Sequence, residues 1–91
     1  MIPRALRKSA EFLARQLALA LDDMTGIINK TVPKMTPASA IRKARRMLAE
    51  ALRLIDRNSP DGAARAGRML RDVAMPYFGT ADLWKIGTAL C

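Results

Sequence analysis

The segment from Thr36 to Asn58, TPASAIRKARRMLAEALRLIDRN, constrains the fold more than any other part of the chain. When it is wound as a helix with about 100° per residue, its aliphatic side chains fill a continuous arc of roughly 160°. Basic side chains fill most of the remaining surface, which only Glu50 and Asp56 interrupt. The pattern predicts an amphipathic helix with one buried face and one face exposed to water or to negative charge.

The composition favours helices throughout the chain. Alanine, leucine, arginine and methionine, all strong helix formers, are abundant, and β-branched residues are few and scattered. A chain of 91 residues is of single-domain length. We therefore predict one all-α domain over residues 1–91, a small bundle of three main helices and a short C-terminal helix. Their expected ranges are about 4–24, 37–57, 60–75 and 81–90.

Capping residues and prolines mark the predicted helix boundaries, and aliphatic residues mark the predicted contacts. Thr36 is the expected N-cap of the second helix, with Pro37 at its first position, and Ser59 with Pro60 repeats this arrangement for the third. The connection at Asn58 is so short that the second and third helices should be antiparallel neighbours. The predicted core places Ile41, Leu48, Leu52 and Ile55 against Leu13, Leu17, Leu70 and Val73.

The first helix carries two apolar surfaces. Its main stripe has three- and four-residue spacing and consists of Leu6, Ala10, Leu13, Leu17, Ala20, Leu21 and Met24. Phe12 and Leu19 form a second, narrower shoulder about 120° away around the helix. Either the fourth helix covers this shoulder or a partner does, and we predict Phe12 and Leu19 as a protein-partner contact.

The residues needed for catalysis are almost absent. The sequence has no histidine and a single cysteine, Cys91, which excludes a histidine-dependent nucleophile and a zinc site of nitrogen and sulfur ligands. Asp22 and Asp23 are adjacent, but neighbouring helical side chains point about 100° apart and do not share a proton or a metal easily. We predict no enzymatic activity, no catalytic residue, no metal and no cofactor.

The basic surface carries the main functional hypothesis. The formal net charge is +8, and the expected binding residues are Arg42, Lys43, Arg45, Arg46, Arg53, Arg57, Arg65 and Arg68. Four of these arginines, at 42, 46, 53 and 57, fall within about 60° of one another around the helix. Like charges one turn apart cost a few tenths of a kcal/mol per pair, which an anionic partner would offset. A solvated surface without a partner is the simpler interpretation, and the sequence leaves both open.

Two partner classes follow from this surface. The first is the phosphate backbone of a nucleic acid, bound by a non-catalytic helical module within a larger assembly. No aromatic residue lies between Arg42 and Arg57, and Tyr77, Phe78 and Trp84 are predicted as core, so the contact should be to phosphates and not to bases. The alternative is a small accessory or inhibitor protein of the phage or plasmid type, which docks on an acidic surface of a host protein complex.

The remaining predictions concern assembly and location. A homodimer or a subunit of a larger complex is the expected state, because the shoulder at Phe12 and Leu19 needs cover. No stretch approaches the 18 apolar residues typical of a membrane span, so we predict a cytoplasmic protein with no integral membrane segment. A basic amphipathic protein that binds the membrane surface is a third interpretation.

Overall fold

The computed structural model describes residues 2–23, 32–33, 36–77 and 80–91. Over these residues the chain is all-helical, which confirms the predicted class, and no strand forms there. The four helices are α1 (Arg4–Asp22), α2 (Ala38–Arg57), α3 (Pro60–Ala74) and α4 (Ala81–Leu90). Helix α1 ends at Asp22, before the predicted end at about residue 24, since Asp23 already has an extended backbone (φ −78°, ψ 103°). Met24 itself lies outside the described residues.

Helix α2 packs between α1 and α3. Helix α3 packs in turn against α4, and α4 also contacts α1. Leu21, Leu48, Ile55 and Leu70 are the largest fully buried side chains. Full burial of a leucine or isoleucine side chain contributes about 1.5–3 kcal/mol of favourable transfer free energy, so each of these four residues is important for folding.

The eight aliphatic residues predicted to pack together across the first three helices all belong to the observed core. Five of them are buried: Leu17, Leu48, Ile55, Leu70 and Val73. The other three are partly buried and pack against the same cluster: Leu13, Ile41 and Leu52. Alanines fill the closest approaches of α1, because Ala10 and Ala14 are completely buried.

The turn between α2 and α3 also holds the N-terminal segment. Asn58 ends α2 in the left-handed conformation (φ 55°), and its side-chain Oδ1 accepts a hydrogen bond of 3.0 Å from the backbone N–H of Ile2. Ser59 caps α3 as predicted, since its hydroxyl oxygen accepts from the Gly62 N–H at 3.0 Å. The beginning of α1 is thereby placed beside the end of α2, which makes the two helices antiparallel.

The start of α2 differs from the prediction by one residue. Pro37 is the N-cap and Ala38 the first helical residue, so Thr36 does not cap the helix. The Thr36 hydroxyl instead donates to the Pro33 carbonyl oxygen at 2.7 Å. The hydroxyl is therefore engaged in the preceding turn, where it cannot accept from the first N–H groups of α2.

Helices α3 and α4 cross at two glycines. A Cβ atom at Gly67 would lie 2.5 Å from the Gly87 carbonyl oxygen, and one at Gly87 would lie 2.8 Å from the Gly67 carbonyl oxygen. Such distances are far inside van der Waals contact, so the crossing requires glycine on both helices. Thr80 supports the junction, because its hydroxyl lies 2.7 Å from the carbonyl oxygens of Ala74 and Tyr77 and can donate to either.

The prediction that the aromatic residues belong to the core is right for Tyr77 and wrong for Trp84. Tyr77 is 8% exposed, and burial raises the pKa of its phenol, whereas Trp84 is 39% exposed. The inner face of α4 is taken by Leu83, Gly87 and Leu90. Trp84 is turned about 100° away from Leu83 and lies towards α3. Phe78 lies outside the described residues.

We expect Gly67→Ala to destabilise the protein. Alanine in place of glycine inside a helix normally stabilises by about 0.5–1 kcal/mol. Here the added methyl group must displace the backbone of α4, and overpacking of this kind costs about 1–3 kcal/mol. Urea unfolding should therefore show a lower midpoint with an unchanged slope.

The exposed position Ala49 on α2 provides the control. Ala49→Gly should cost about 1 kcal/mol, as expected from helix propensity alone. A rise in the unfolding midpoint of Gly67→Ala would show that the close crossing of α3 and α4 does not exist.

Candidate functional site

Four arginines line the outer face of α2, and we call them the arginine row: Arg42, Arg46, Arg53 and Arg57. All four are exposed, because burial of the opposite face of α2 leaves this side to solvent. At 1.5 Å per residue the row extends over about 22 Å along the helix axis. The row therefore presents an extended linear charge and not a single point.

Internal carboxylates neutralise the arginine row only in part. Glu50 forms an ion pair with Arg53 one turn along the same helix. The hydrogen bond from Arg53 holds the pKa of the Glu50 carboxyl below its usual value. Within the described part of the chain, no carboxylate lies at ion-pair distance from Arg42, Arg46 or Arg57.

The basic surface continues from α2 onto α3. Arg65 is exposed on α3 and lies close enough to Glu50 to contribute, together with Arg57, to the lowered pKa of that carboxyl. Arg68 is exposed three residues further along α3. Arg65 therefore extends the surface of the arginine row across the junction of the two helices.

Two predicted binding residues lie elsewhere on α2. Arg45 faces α1, where its Nε donates to Asp22 at 2.9 Å, so its charge is balanced within the protein. Lys43 lines a groove of about 290 Å³ between α2 and α3, and Asp72 and Tyr77 line the same groove. The structure thus places Arg65 beside the arginine row and leaves Arg68 exposed further along α3. Lys43 lies at a different groove, while Arg45 lines the same groove as Arg42 and Arg46 with its charge paired to Asp22.

An open groove of about 730 Å³ borders the arginine row on the side of α1. Arg42 and Arg46 stand at its edge beside the ion pair of Arg45 with Asp22, and Ala49 and Leu52 contribute apolar surface within it. An anionic ligand that lies along the row can therefore place its less polar groups over this groove. The predicted site residues do not include this apolar surface, because Leu52 belongs to the aliphatic arc that the sequence assigns to the core.

The shoulder on α1 remains uncovered in this chain. Phe12 is 60% exposed and Leu19 is 58% exposed, two helical turns apart on the outer face. Helix α4 reaches only one edge of it, where Phe12 and Ile86 line an open groove of about 590 Å³. Lys8, Lys85 and Asp82 also line this groove, so its surroundings carry a small excess of positive charge. The sequence left two explanations open, cover by the fourth helix or by a partner. Helix α4 does not cover most of the Phe12 side chain, so the first explanation fails there.

The sequence did not reveal the pairing of Arg71 with Trp84. The Arg71 guanidinium carbon lies 5.0 Å from the centre of the indole ring, a cation–π arrangement between α3 and α4. The two residues are 13 positions apart on different helices, so no helical periodicity connects them. The small residues at Gly67 and Gly87 were the available signal, because a close crossing there brings the two side chains together.

No group of three or more histidine, cysteine, aspartate or glutamate side chains in the described ranges is arranged to hold a metal ion. Among the helices described, none has the length and apolar character needed to cross a bilayer. Comparisons of the chain with protein-family models, curated proteins and solved structures find no match.

Proposed function

We propose that the protein is a non-catalytic binding module whose arginine row, together with Arg65 and Arg68, contacts the phosphate backbone of a nucleic acid. The observation that carries this proposal is the exposed row itself, where three of four arginines have no carboxylate partner in the described residues. The other ion pairs join Arg7 to Glu11 within α1 and to Asp56 of α2, and Arg45 to Asp22 of α1. Positive charge therefore remains concentrated on one side of α2.

The chemistry of arginine supports phosphate as the ligand. A guanidinium group donates in a planar fork that matches the oxygens of a phosphate, and it is more weakly hydrated than a lysine ammonium. Arg42 and Arg46 lie one turn apart, as do Arg53 and Arg57, so each pair repels itself in the free protein. A polyanion along the row relieves both repulsions at once, whereas a single small anion relieves at most one.

Phosphate contacts position a protein on nucleic acid without reading its sequence. We therefore expect slight sequence preference and a strong dependence on salt. The four contacts of the arginine row alone give a slope of about −3 to −4 in log affinity against log salt, at roughly −0.7 to −0.9 per contact, and contacts by Arg65 and Arg68 make it steeper. Binding should weaken by at least roughly two orders of magnitude between about 50 and 200 mM salt.

The test is a titration of random-sequence DNA, duplex and single-stranded, over a range of salt concentrations. Arg46→Gln combined with Arg57→Gln should flatten the slope by nearly two units, because each substitution removes about one phosphate contact. Stability should change by less than about 0.5 kcal/mol, since both side chains are exposed. Glu50→Gln should strengthen binding, because it removes the negative charge from the row and releases Arg53.

The matched control is Lys8→Gln combined with Arg15→Gln, which removes the same charge from exposed positions on α1. It should leave the slope nearly unchanged. An equal flattening in both double variants would show that net charge, and not the arginine row, governs binding. If neither DNA binds more tightly than about 100 µM at 50 mM salt, weaker than ordinary non-specific binding, the proposal is wrong.

A second candidate function rests on the shoulder of α1. Two large apolar side chains at 60% and 58% exposure on one helix face are typical of a protein contact surface. Lys8, Arg15 and Lys85 are exposed near this shoulder along α1 and α4, so an acidic amphipathic helix would complement it. On this alternative the protein is an accessory or inhibitor that docks on an acidic partner.

A synthetic amphipathic helix with leucines on one face and glutamates beside them provides the probe for this alternative. Phe12→Ser combined with Leu19→Ser should weaken its binding at least about tenfold, because burial of these two side chains supplies the affinity. Thermal unfolding of the double variant should be unchanged. Equal binding of a peptide with lysines in place of the glutamates, or of the double variant, would contradict this function.

A further inference from the structure

Three arginines are distributed around α3, from the side that faces α2 to the side that faces α4. We call them the arginine band: Arg65, Arg68 and Arg71. Each step of three residues advances about 4.5 Å along the helix and turns the side-chain direction by about 60°. Arg65 lies on the side of α3 that approaches Glu50 of α2. Arg71 lies on the side that faces α4, over the indole of Trp84. These arginines therefore extend the basic surface of α2 around α3 to an aromatic ring, with one carboxylate, Asp72, a helical turn after Arg68.

Trp84 is partly exposed and held in a fixed position. Its residue surface is 39% exposed, and the guanidinium of Arg71 covers part of one ring face at 5.0 Å from the centroid. The crossing of α3 and α4 at Gly67 and Gly87 leaves no space for the two helices to shift closer. The exposed part of the indole is thus presented by a packed junction, and not by a loose side chain.

A second exposed apolar residue lies beside this position. Met75 follows Arg71 by one helical turn and is 79% exposed. Apart from Phe12 and Leu19 on α1, Met75 and Trp84 are the large apolar side chains that remain exposed in the described residues. Both adjoin Arg71, so the arginine band ends in a small apolar surface. Asp72 lies on this helix too, but it lines the groove that Lys43 and Tyr77 share on the side of α2.

This combination fits unpaired bases better than a duplex. Proteins that bind single strands without sequence preference combine a basic track for the backbone with aromatic side chains on which bases stack. The bases of a duplex are stacked on one another and do not offer a free face to a side chain on the protein surface. A phosphate-binding surface alone does not require an exposed tryptophan at its end.

We propose that Trp84, supported by Arg71, stacks on an unpaired base while the arginine row and the arginine band hold the adjacent phosphates, so that the protein prefers single-stranded nucleic acid to a duplex. This inference rests on the phosphate contact proposed above. It adds a base contact to that function, where the sequence alone led us to expect contacts to phosphates only.

The fluorescence of Trp84 provides a direct readout, because it is the single tryptophan of the sequence. Stacking of a base on the indole should quench the emission. An oligothymidylate strand should quench it strongly in the intact protein. A strand of equal length with abasic sites carries the same phosphates but no bases there, so it should bind more weakly and quench little. A duplex of equal length should also quench little.

Substitution of the ring separates stacking from phosphate binding. Trp84→Leu should weaken binding of the oligothymidylate by about 5- to 100-fold, the range found when a stacking aromatic is removed. It should leave the binding of the abasic strand and the salt slope nearly unchanged. Trp84→Phe keeps an aromatic face and should retain most of the affinity. Gln16→Leu is the control, since it places a leucine at an exposed position of α1 outside the proposed contacts and should have no effect.

The outcomes distinguish this inference from the proposed function. If the oligothymidylate and the abasic strand bind equally tightly, with a normal salt slope and no quenching, stacking is overturned and the phosphate contact stands. If no strand binds at low salt, both proposals fall. The comparison of strands uses the unaltered protein, so it decides the question even if Trp84→Leu does not fold.

Discussion

Burial of the aliphatic face of α2 against α1 and α3 is the interaction on which the rest of the structure depends. Leu48, Ala51 and Ile55 are almost completely enclosed, and their position fixes which side of α2 remains in water. The arginine row is on that side because the helical period separates it from the buried arc. A rotation of α2 about its own axis would bury arginines and expose leucines, so packing holds the orientation of the basic surface.

Internal ion pairs then decide which positive charges remain available. Arg7 and Arg45 are joined to carboxylates at the two ends of the α1–α2 contact, at 3.0 Å from Asp56 and 2.9 Å from Asp22. These pairs are largely exposed, so each contributes no more than about 1 kcal/mol, and they accompany the antiparallel arrangement without determining it. They also remove charge from the side of α2 that faces α1. The charge that is left lies on the outer face of α2 and the adjoining face of α3.

Much of the fold could be predicted from the sequence, because helical periodicity and capping are local signals. Ser59 and Pro60 identified the start of α3 correctly, and the aliphatic arc of α2 identified its buried side. Thr36 was wrongly predicted as the N-cap of α2, because its hydroxyl donates to the Pro33 carbonyl oxygen instead. That hydrogen bond depends on how the preceding turn folds. The pairing of Arg45 with Asp22 and the position of Trp84 beside Arg71 depend on how helices cross, and no spacing along the chain encodes them. Sequence therefore predicts which helix face is basic, while the structure selects which of its arginines are unpaired among the described residues.

NMR of the individual arginine side chains tests directly whether the arginine row is the surface that binds nucleic acid. The Nε–Hε signals would be followed while a random-sequence single strand is added at about 50 mM salt, where non-specific contacts are strong. We expect the largest shifts for the signals of Arg42, Arg46, Arg57 and Arg65. The smallest shifts should occur at Arg7 and Arg15. Equal shifts at all arginines, or the largest shifts on α1, would contradict this expectation.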